Sequence, residues 1–181
     1  LLISFSCEEE NGIGDSVNYV SFESDEIGFQ VVGNSTSEKE VKIYTGNKIG
    51  SDRTSSVFVN ESSTLTANYL VPAAVTVLAN TNVGVLTVSV KDDETLEFEP
   101  QTLVIEFLDG DGVFIGLPVT LNVAEACPGN LVRFNLNLDT WPDETSWEIY
   151  DLSGTTPSVI YSGGPYVDPE DDFAELSFEY C

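Results

Sequence analysis

The sequence predicts an all-β protein made of two successive β-domains, and three observations lead to this expectation. Apolar and polar residues alternate in short runs from residue 18 onward, as in strands with one buried and one exposed face. Clusters of Gly, Asn, Asp and Pro separate these runs. No stretch shows the apolar period of an amphipathic helix with capping residues. Many short strands with regular turn signals are typical of β-sandwiches.

Five alternating runs are the clearest strand signals. In the run at residues 86–90, Leu86, Val88 and Val90 alternate with two residues that carry hydroxyl groups. One face of such a strand is buried and the other is in contact with water. The other four runs have the same pattern and cover residues 41–45, 119–123, 134–138 and 174–180.

A domain boundary is expected near residue 126, where one strand ends and Cys127, Pro128 and Gly129 precede a new alternation. The chain then divides into a tether (1–17), a first sandwich (18–126) and a second β-module (127–181). A module of about 55 residues is small for a sandwich, so we expect it to be incomplete. Met is absent even at position 1, so we also expect a sequence trimmed at its start.

The charge of the chain restricts its function. The 181 residues include 31 acidic residues, 6 basic residues and no His, which gives a net charge of −25. This charge repels nucleic-acid phosphates, so we expect no nucleic-acid partner. Without His, no Ser–His or Cys–His nucleophile pair and no His-ligated zinc site can form, so we do not expect an enzyme. The carboxylates favour cations such as calcium, or they only keep the protein soluble.

The N-terminus has the features of an export signal. The apolar run Leu1–Ser6 is too short to span a bilayer, and Cys7 and the acidic stretch Glu8–Glu10 follow it directly. This arrangement resembles a bacterial lipoprotein signal. The resemblance implies a lipid on Cys7, display on the outer membrane or cell surface of a Gram-negative bacterium, and membrane contact through that lipid alone. Alternatively, Cys7 ends an ordinary secretory signal or pairs with another Cys.

The first domain contains an acidic loop within an ordered series of strands. An Asn-Tyr pair (68–69) precedes two strands, an acidic triplet (92–94) ends the second strand, and two Glu residues lead into a further strand. This order resembles a Calx-beta domain, which implies an antiparallel immunoglobulin-like β-sandwich. The resemblance also implies calcium binding at one end of the sandwich, where a divalent ion relieves repulsion between carboxylates. The candidate ligands are Asn68, Asp92, Asp93, Glu94 and Glu97.

Some positions depart from the Calx-beta pattern. Asn68 replaces an Asp, Gln101 stands where a Glu would align, and Glu38 is only a weak counterpart of an early Glu. The alternative interpretation is a solvated acidic loop between two strands. The Asp-Gly-Asp-Gly run at 109–112 lacks the later ligands of an EF-hand, so it is predicted to be a turn.

The second module has a distinctive pair of motifs, Trp141–Asp151 and Tyr161–Tyr166. They resemble a small β-module of secreted multidomain proteins from Gram-negative bacteria. In that module a Tyr-Pro-x-Glu-Thr-Ser-Trp-Glu segment precedes a Gly-Gly-Pro-Tyr turn. The resemblance implies a Cys-containing strand and an Asp-rich turn, which we expect beyond Cys181.

Aromatic and Cys residues of the second module each allow two interpretations. Trp141, Trp147 and Tyr150 can form a platform that stacks on sugar rings, or Trp147 simply fills the core. Cys127 and Cys181 can form a disulfide, which is allowed in an exported protein. Alternatively, Cys181 pairs with a Cys beyond the end of this sequence.

Three functions are compatible with the sequence. The first is a non-catalytic cell-surface lipoprotein that acts as a binding or adhesion module, with calcium as a candidate stabilising ion. The second is a glycan-binding accessory protein of a polysaccharide uptake or degradation system. The third is a hydrolase with paired carboxylates, which would require two facing carboxyl groups in a cleft.

Overall fold

The structure, a computed structural model, describes residues 18–93, 95–110 and 112–181. Within these residues the chain is all-β, as predicted, and its only helical segment is one 3₁₀ turn, Pro142–Glu144. No helix in this part of the chain is long and apolar enough to cross a membrane. The chain divides into two compact units, Leu1–Ala126 and Cys127–Cys181.

The described residues of the first unit form ten strands. They are β1 (Tyr19–Phe22), β2 (Glu26–Val31), β3 (Thr36–Thr45), β4 (Arg53–Val59), β5 (Asn68–Leu70), β6 (Ala74–Val77), β7 (Val83–Lys91), β8 (Gln101–Phe107), β9 (Phe114–Ile115) and β10 (Val119–Glu125). One sheet has the order β5-β7-β3-β1-β9, and the other has the order β2-β10-β8-β4-β6. Residues of both sheets share one apolar core, so the unit is a β-sandwich.

Two strand pairs of this sandwich are parallel, whereas the other pairs are antiparallel. β1 pairs with β9, and β2 pairs with β10 along the whole of residues 26–31. β1 and β2 follow each other in the chain but lie in different sheets. Each pairs with a strand near the C-terminal end of the unit, β9 or β10, and the two paired strands run in the same direction. The predicted antiparallel arrangement holds for the rest of both sheets.

Alternate side chains of the long strands fill the space between the two sheets. Leu86, Val88 and Val90 of β7 are buried, and so are Leu103 and Ile105 of β8. Burying one such side chain contributes about 1.5–3 kcal/mol relative to its exposure to water. Because the side-chain period of a strand is two, a slip of one residue would expose the whole row, and this fixes the register.

The second unit is built from two antiparallel strand pairs. Its strands are β11 (Val132–Asn137), β12 (Trp147–Asp151), β13 (Ser158–Gly163) and β14 (Glu175–Tyr180). β11 pairs with β14, and β12 pairs with β13 in a hairpin that has an irregularity between Ile149 and Tyr150. Two pairs of this kind are not stable in isolation, so they depend on the side chains between them.

An aromatic cluster joins the two strand pairs of the second unit. The indole ring of Trp147 lies 5.0 Å from the ring of Phe134 and 5.2 Å from that of Phe178, measured between centroids. Tyr180 stacks on Tyr161 at 4.0 Å. Tilted and offset ring pairs at these distances are attractive beyond the area that they bury. Trp147 therefore contributes to the core of this unit.

A disulfide joins Cys127 to Cys181, whose Cα atoms are 5.4 Å apart. Of the two pairings that the sequence allowed, the structure has the one within the unit. The expectation of an Asp-rich turn and a Cys-containing strand beyond Cys181 stays a prediction. An acidic turn at residues 168–173 precedes β14, and Cys181 follows β14 directly. The full-length pairing of β14 with β11 explains how Cys181 comes to lie beside Cys127.

Removing this disulfide should destabilise the second unit selectively. The bridge closes a loop with a sequence separation of 54, and restriction of the unfolded chain then stabilises the unit by about 4 kcal/mol. Both Trp residues lie in this unit, so their fluorescence during denaturant unfolding reports on it alone. We expect a lower midpoint for the Cys127→Ser/Cys181→Ser variant and for the reduced wild type. An unchanged midpoint in both would contradict the crosslink.

Candidate functional site

The acidic loop after β7 uses its second carboxylate to hold the start of β5. Asp93 Oδ2 accepts the backbone N–H of Asn68 at 3.1 Å and also a hydrogen bond from the Asn68 side-chain amide. Asp93 Oδ1 accepts the Thr95 hydroxyl at 2.7 Å. The Thr95 hydrogen bond, with those from Asn68, lowers the pKa of Asp93 against a smaller opposing effect of burial. Two predicted calcium ligands, Asn68 and Asp93, therefore lie next to each other and are joined by hydrogen bonds.

The neighbouring Asp92 faces a different loop. Its Oδ2 accepts the N–H of Asn34 at 2.6 Å, and its own N–H donates to the Ser35 carbonyl at 2.9 Å. Burial, followed by the charge of Asp92, raises the pKa of Glu125 at the end of β10. Glu97 contributes its backbone carbonyl, which accepts the Glu125 N–H at 2.8 Å. Carboxylates from the loop after β7 and from the end of β10 therefore lie at the same end of the sandwich.

Gln101 links two loops in a way that a Glu could not. Its side-chain oxygen accepts the N–H of Thr66 at 2.9 Å, and its amide nitrogen donates to the Thr95 carbonyl at 2.9 Å. A carboxylate has no donor for the second contact. The departure from the Calx-beta pattern at this position therefore has a structural reason.

The predicted calcium site is only partly assembled in the described residues. Glu94 lies outside them, and so does Cys7, the predicted lipid attachment site. Within residues 18–93, 95–110 and 112–181, no group of three or more Cys, Asp or Glu side chains is arranged to hold a metal ion. Calcium binding therefore stays a prediction. Glu125 was missed at the sequence level because it reaches this end only through the pairing of β2 with β10.

A second candidate site is an open cleft of about 550 Å³ on the β12–β13 hairpin. Glu148 and Ser162 are opposite each other in the hairpin, and Tyr150 shares their exposed face. The Tyr150 hydroxyl donates to the Glu148 carboxylate, and this hydrogen bond raises the pKa of Tyr150. The residues that line the cleft are Ser146, Trp147, Glu148, Tyr150, Ser162, Gly163 and Gly164.

Two of the residues that line the cleft are glycines because no side chain fits at their positions. A Cβ atom at Gly163 would lie 2.5 Å from a carbon of the Trp147 indole ring, and one at Gly164 would lie 2.2 Å from the Thr145 carbonyl oxygen. A side chain at Gly163 would therefore collide with the Trp147 ring, and one at Gly164 would collide with the backbone. The indole nitrogen of Trp147 donates to the Tyr166 hydroxyl at 2.8 Å, which fixes the orientation of the ring.

The three predicted sugar-stacking residues have different positions. Tyr150 is 47% exposed and lines the cleft. Trp147 packs in the aromatic cluster, as the core interpretation proposed, and also contributes to the cleft. Trp141 is exposed and is not among the residues that line it. The sequence alone gave no signal for the two serines, because isolated Ser residues are common in turns and strands.

Comparisons with known proteins find solved structures with a similar fold, but they do not assign the chain to a family. No protein-family model matches the chain, and no curated protein matches it. A multidomain protein including DUF1735 from Bacteroides ovatus is similar at 13% identity and a TM-score of 0.50, over 80% of this chain and 56% of the other. A Bacteroides ovatus protein of unknown function is similar at 15% identity and a TM-score of 0.50, over 80% and 57%.

A further similar structure is the apo-form Calx CBD1 domain, at 14% identity and a TM-score of 0.49. The match covers 61% of this chain and 99% of that domain. This chain spans only a little over half the length of the two Bacteroides ovatus chains. At these identities the two Bacteroides ovatus structures support the fold alone, which is an all-β chain with a β-sandwich.

The hydrogen bonds of Asp93 should stabilise the first unit without calcium. We expect Asp93→Asn to lower its melting temperature by about 2–5 °C in chelator at neutral pH, because an amide replaces an oxygen that accepts hydrogen bonds. The folded-state pKa of Asp93 is lowered, so this advantage over the variant should disappear as the pH falls through that pKa.

The matched control for this melting experiment is Asp109→Asn in an exposed loop, which should melt as the wild type does. Equal melting of wild type and Asp93→Asn in chelator would contradict the proposed role of these hydrogen bonds. Adding millimolar calcium then tests the calcium prediction separately, since a stabilising ion should raise the melting temperature of the wild type and not that of Asp93→Asn.

Proposed function

We propose that this protein is a non-catalytic binding module that holds its ligand in the cleft of the second unit. The observation that supports this most directly is the cleft itself, which is lined by the exposed Tyr150, by Trp147 and by residues that carry hydroxyl groups. Concave sites that combine aromatic surface with a few fixed polar groups are the usual form of small-ligand sites. The first unit, with its continuous apolar core, would serve as a support.

The chemistry of the cleft supports binding without catalysis. Among the described residues that line it, Glu148 is the only one with a carboxylate, and this carboxylate accepts a hydrogen bond from the Tyr150 hydroxyl. A glycoside hydrolase mechanism requires two carboxyl groups on either side of the bond to be cleaved. The chain also has no His to act as a general base.

A neutral glycan is the ligand class that fits this cleft best. The apolar face of a sugar ring can stack on Tyr150 and on the indole edge of Trp147, and its hydroxyl groups can bond to Glu148, Ser146 and Ser162. A net charge of −25 disfavours acidic glycans. The protein would then serve as a glycan-binding accessory of a polysaccharide uptake or degradation system.

Surface display through a lipid on Cys7 is part of this proposal and is supported by the sequence alone. The apolar run before Cys7 and the acidic stretch after it are the only features that support it. The acidic residues that follow Cys7 would be repelled by an anionic membrane surface. Calcium bound by the carboxylates at the acidic end of the first unit would stabilise that unit, and the proximity of these carboxylates is the reason to test calcium binding.

A glycan array with Tyr150 variants tests the binding proposal. We expect the wild type to bind neutral glycans, and Tyr150→Ala to weaken binding at least about tenfold, which corresponds to about 1.4 kcal/mol of lost stacking. Calorimetry with the glycans that bind gives the affinities. Tyr69 of the first unit has a similar exposure, 42%, so Tyr69→Ala is a matched control that should bind as the wild type does.

Trp141→Ala separates this cleft from the wider aromatic platform that the sequence suggested. Because Trp141 is not among the residues that line the cleft, we expect its replacement to leave the affinity unchanged. Binding that survives Tyr150→Ala and is lost in Trp141→Ala would place the ligand elsewhere and contradict the proposal.

A further inference from the structure

Only the last part of β3 is covered by β1. β3 has ten residues, and β1 pairs with the last three of them. One further contact follows, in which the N–H of Glu23 donates to the Lys42 carbonyl at 3.0 Å. The chain then crosses to the other sheet, where the Asp25 carbonyl accepts an N–H of β10 at 2.8 Å and β2 begins. Among the described residues, residues 36–41 of β3 therefore have no neighbouring strand on this side.

The hydrogen-bond register shows which backbone groups of β3 face this open side. In an antiparallel pair, alternate residues direct both N–H and C=O to the same neighbour. The Ser35 carbonyl accepts the N–H of the residue after β7 at 2.9 Å, and the Thr45 N–H donates to the residue before β7 at 3.0 Å. The pairing between them is regular, so the odd-numbered residues bond to β7. The N–H and C=O groups of Glu38 and Glu40 therefore point to the open side.

These four backbone groups have the geometry that an added strand requires. None of them has a hydrogen-bond partner among the described residues. A row of free N–H and C=O groups at a sheet edge is a template for pairing with another chain. An open groove of about 450 Å³ lies beside this part of β3, between it and the start of β2. An extended segment therefore has both the hydrogen-bonding groups and the space to extend the sheet.

The side chains of β3 determine which segment fits this edge. Glu38 and Glu40 are exposed on the outer face of the sheet, so basic residues opposite them are favourable and acidic ones are not. Lys39 is half-buried on the same face as the buried Val41. Its ammonium group disfavours a basic side chain that points inward. Its aliphatic stem and the partly buried Ile27 across the groove favour an apolar one.

We propose that the open edge of β3, residues 36–41, binds an extended peptide strand in which basic residues alternate with apolar residues. In this mode of recognition, main-chain hydrogen bonds supply affinity and alternate side chains supply specificity. The partner is a segment of another protein, because a second copy of this chain would bring a further net charge of −25 to the same acidic edge. The site lies in the first unit and is independent of the glycan cleft.

Amide hydrogen exchange of the full ¹⁵N-labelled chain is the direct test. In the free protein we expect rapid exchange at Glu38 and Glu40, and slow exchange at Lys39 and Val41, whose amides bond to β7. The probe is the synthetic peptide Lys-Val-Lys-Val-Lys-Val-Lys with both ends blocked. At saturation it should slow exchange at Glu38 and Glu40 at least about tenfold. Unchanged exchange at both residues would overturn the proposal.

The free protein also tests the other possible occupants of this edge. Protection of Glu38 and Glu40 that rises with protein concentration would assign the edge to a second copy. Protection that is already present at every concentration would mean that this chain covers the edge itself. Either result would overturn the proposal.

A second peptide separates strand pairing from simple attraction between charges. The same sequence with a methyl group on every backbone nitrogen keeps the positive charge and has no N–H to donate. We expect it to leave the exchange of Glu38 and Glu40 unchanged. Equal protection by the two peptides would overturn the proposal.

Charge-reversal variants test the position of the site. Glu38→Lys/Glu40→Lys should weaken binding of the unmethylated peptide at least about tenfold, because like charges would then face each other across the paired strands. Glu61→Lys/Asp109→Lys is the matched control, since it makes the same change in net charge at exposed residues outside this edge. It should retain an affinity within about twofold of the wild type. Equal losses in the two double variants would overturn the proposal.

Discussion

The chain must accommodate 31 carboxylates with only 6 basic side chains, and most of the loops described depend on how it does so. Backbone N–H groups in turns need acceptors wherever they are not paired within a sheet. Asp52 accepts the N–H of Ala79, and Asp151 accepts that of Ser153. The acidic residues thus stabilise turns through neutral donors, which explains how a strongly acidic protein keeps ordered connections between its strands.

The two units reach stability by different means. In its described residues, the first buries a continuous apolar core between two five-stranded sheets. The second has four strands in two pairs, so it relies on the aromatic cluster around Trp147 and on the Cys127–Cys181 disulfide. Small domains commonly need such a crosslink. Because the aromatic cluster occupies one side of the β12–β13 hairpin, the other side stays open as a cleft.

The sequence predicted the strands well where one face of a strand is buried. Residues 86–90 lie in β7 and residues 119–123 lie in β10, since alternation follows directly from one-sided burial. Contacts between distant segments could not be predicted in this way. The parallel pairing of β2 with β10, which brings Glu125 towards Asp92, leaves no local signal.

The most direct test of ligand binding in the second unit is a titration of neutral hexose and pentose oligosaccharides into the uniformly ¹⁵N-labelled full chain. If the cleft binds neutral glycans, backbone amide signals will shift at Ser146, Glu148, Tyr150 and residues 162–164, and the signals of the first unit will not shift. Shifts confined to the first unit, or no shifts with any of these sugars, would contradict the assignment of the cleft as a neutral-glycan site.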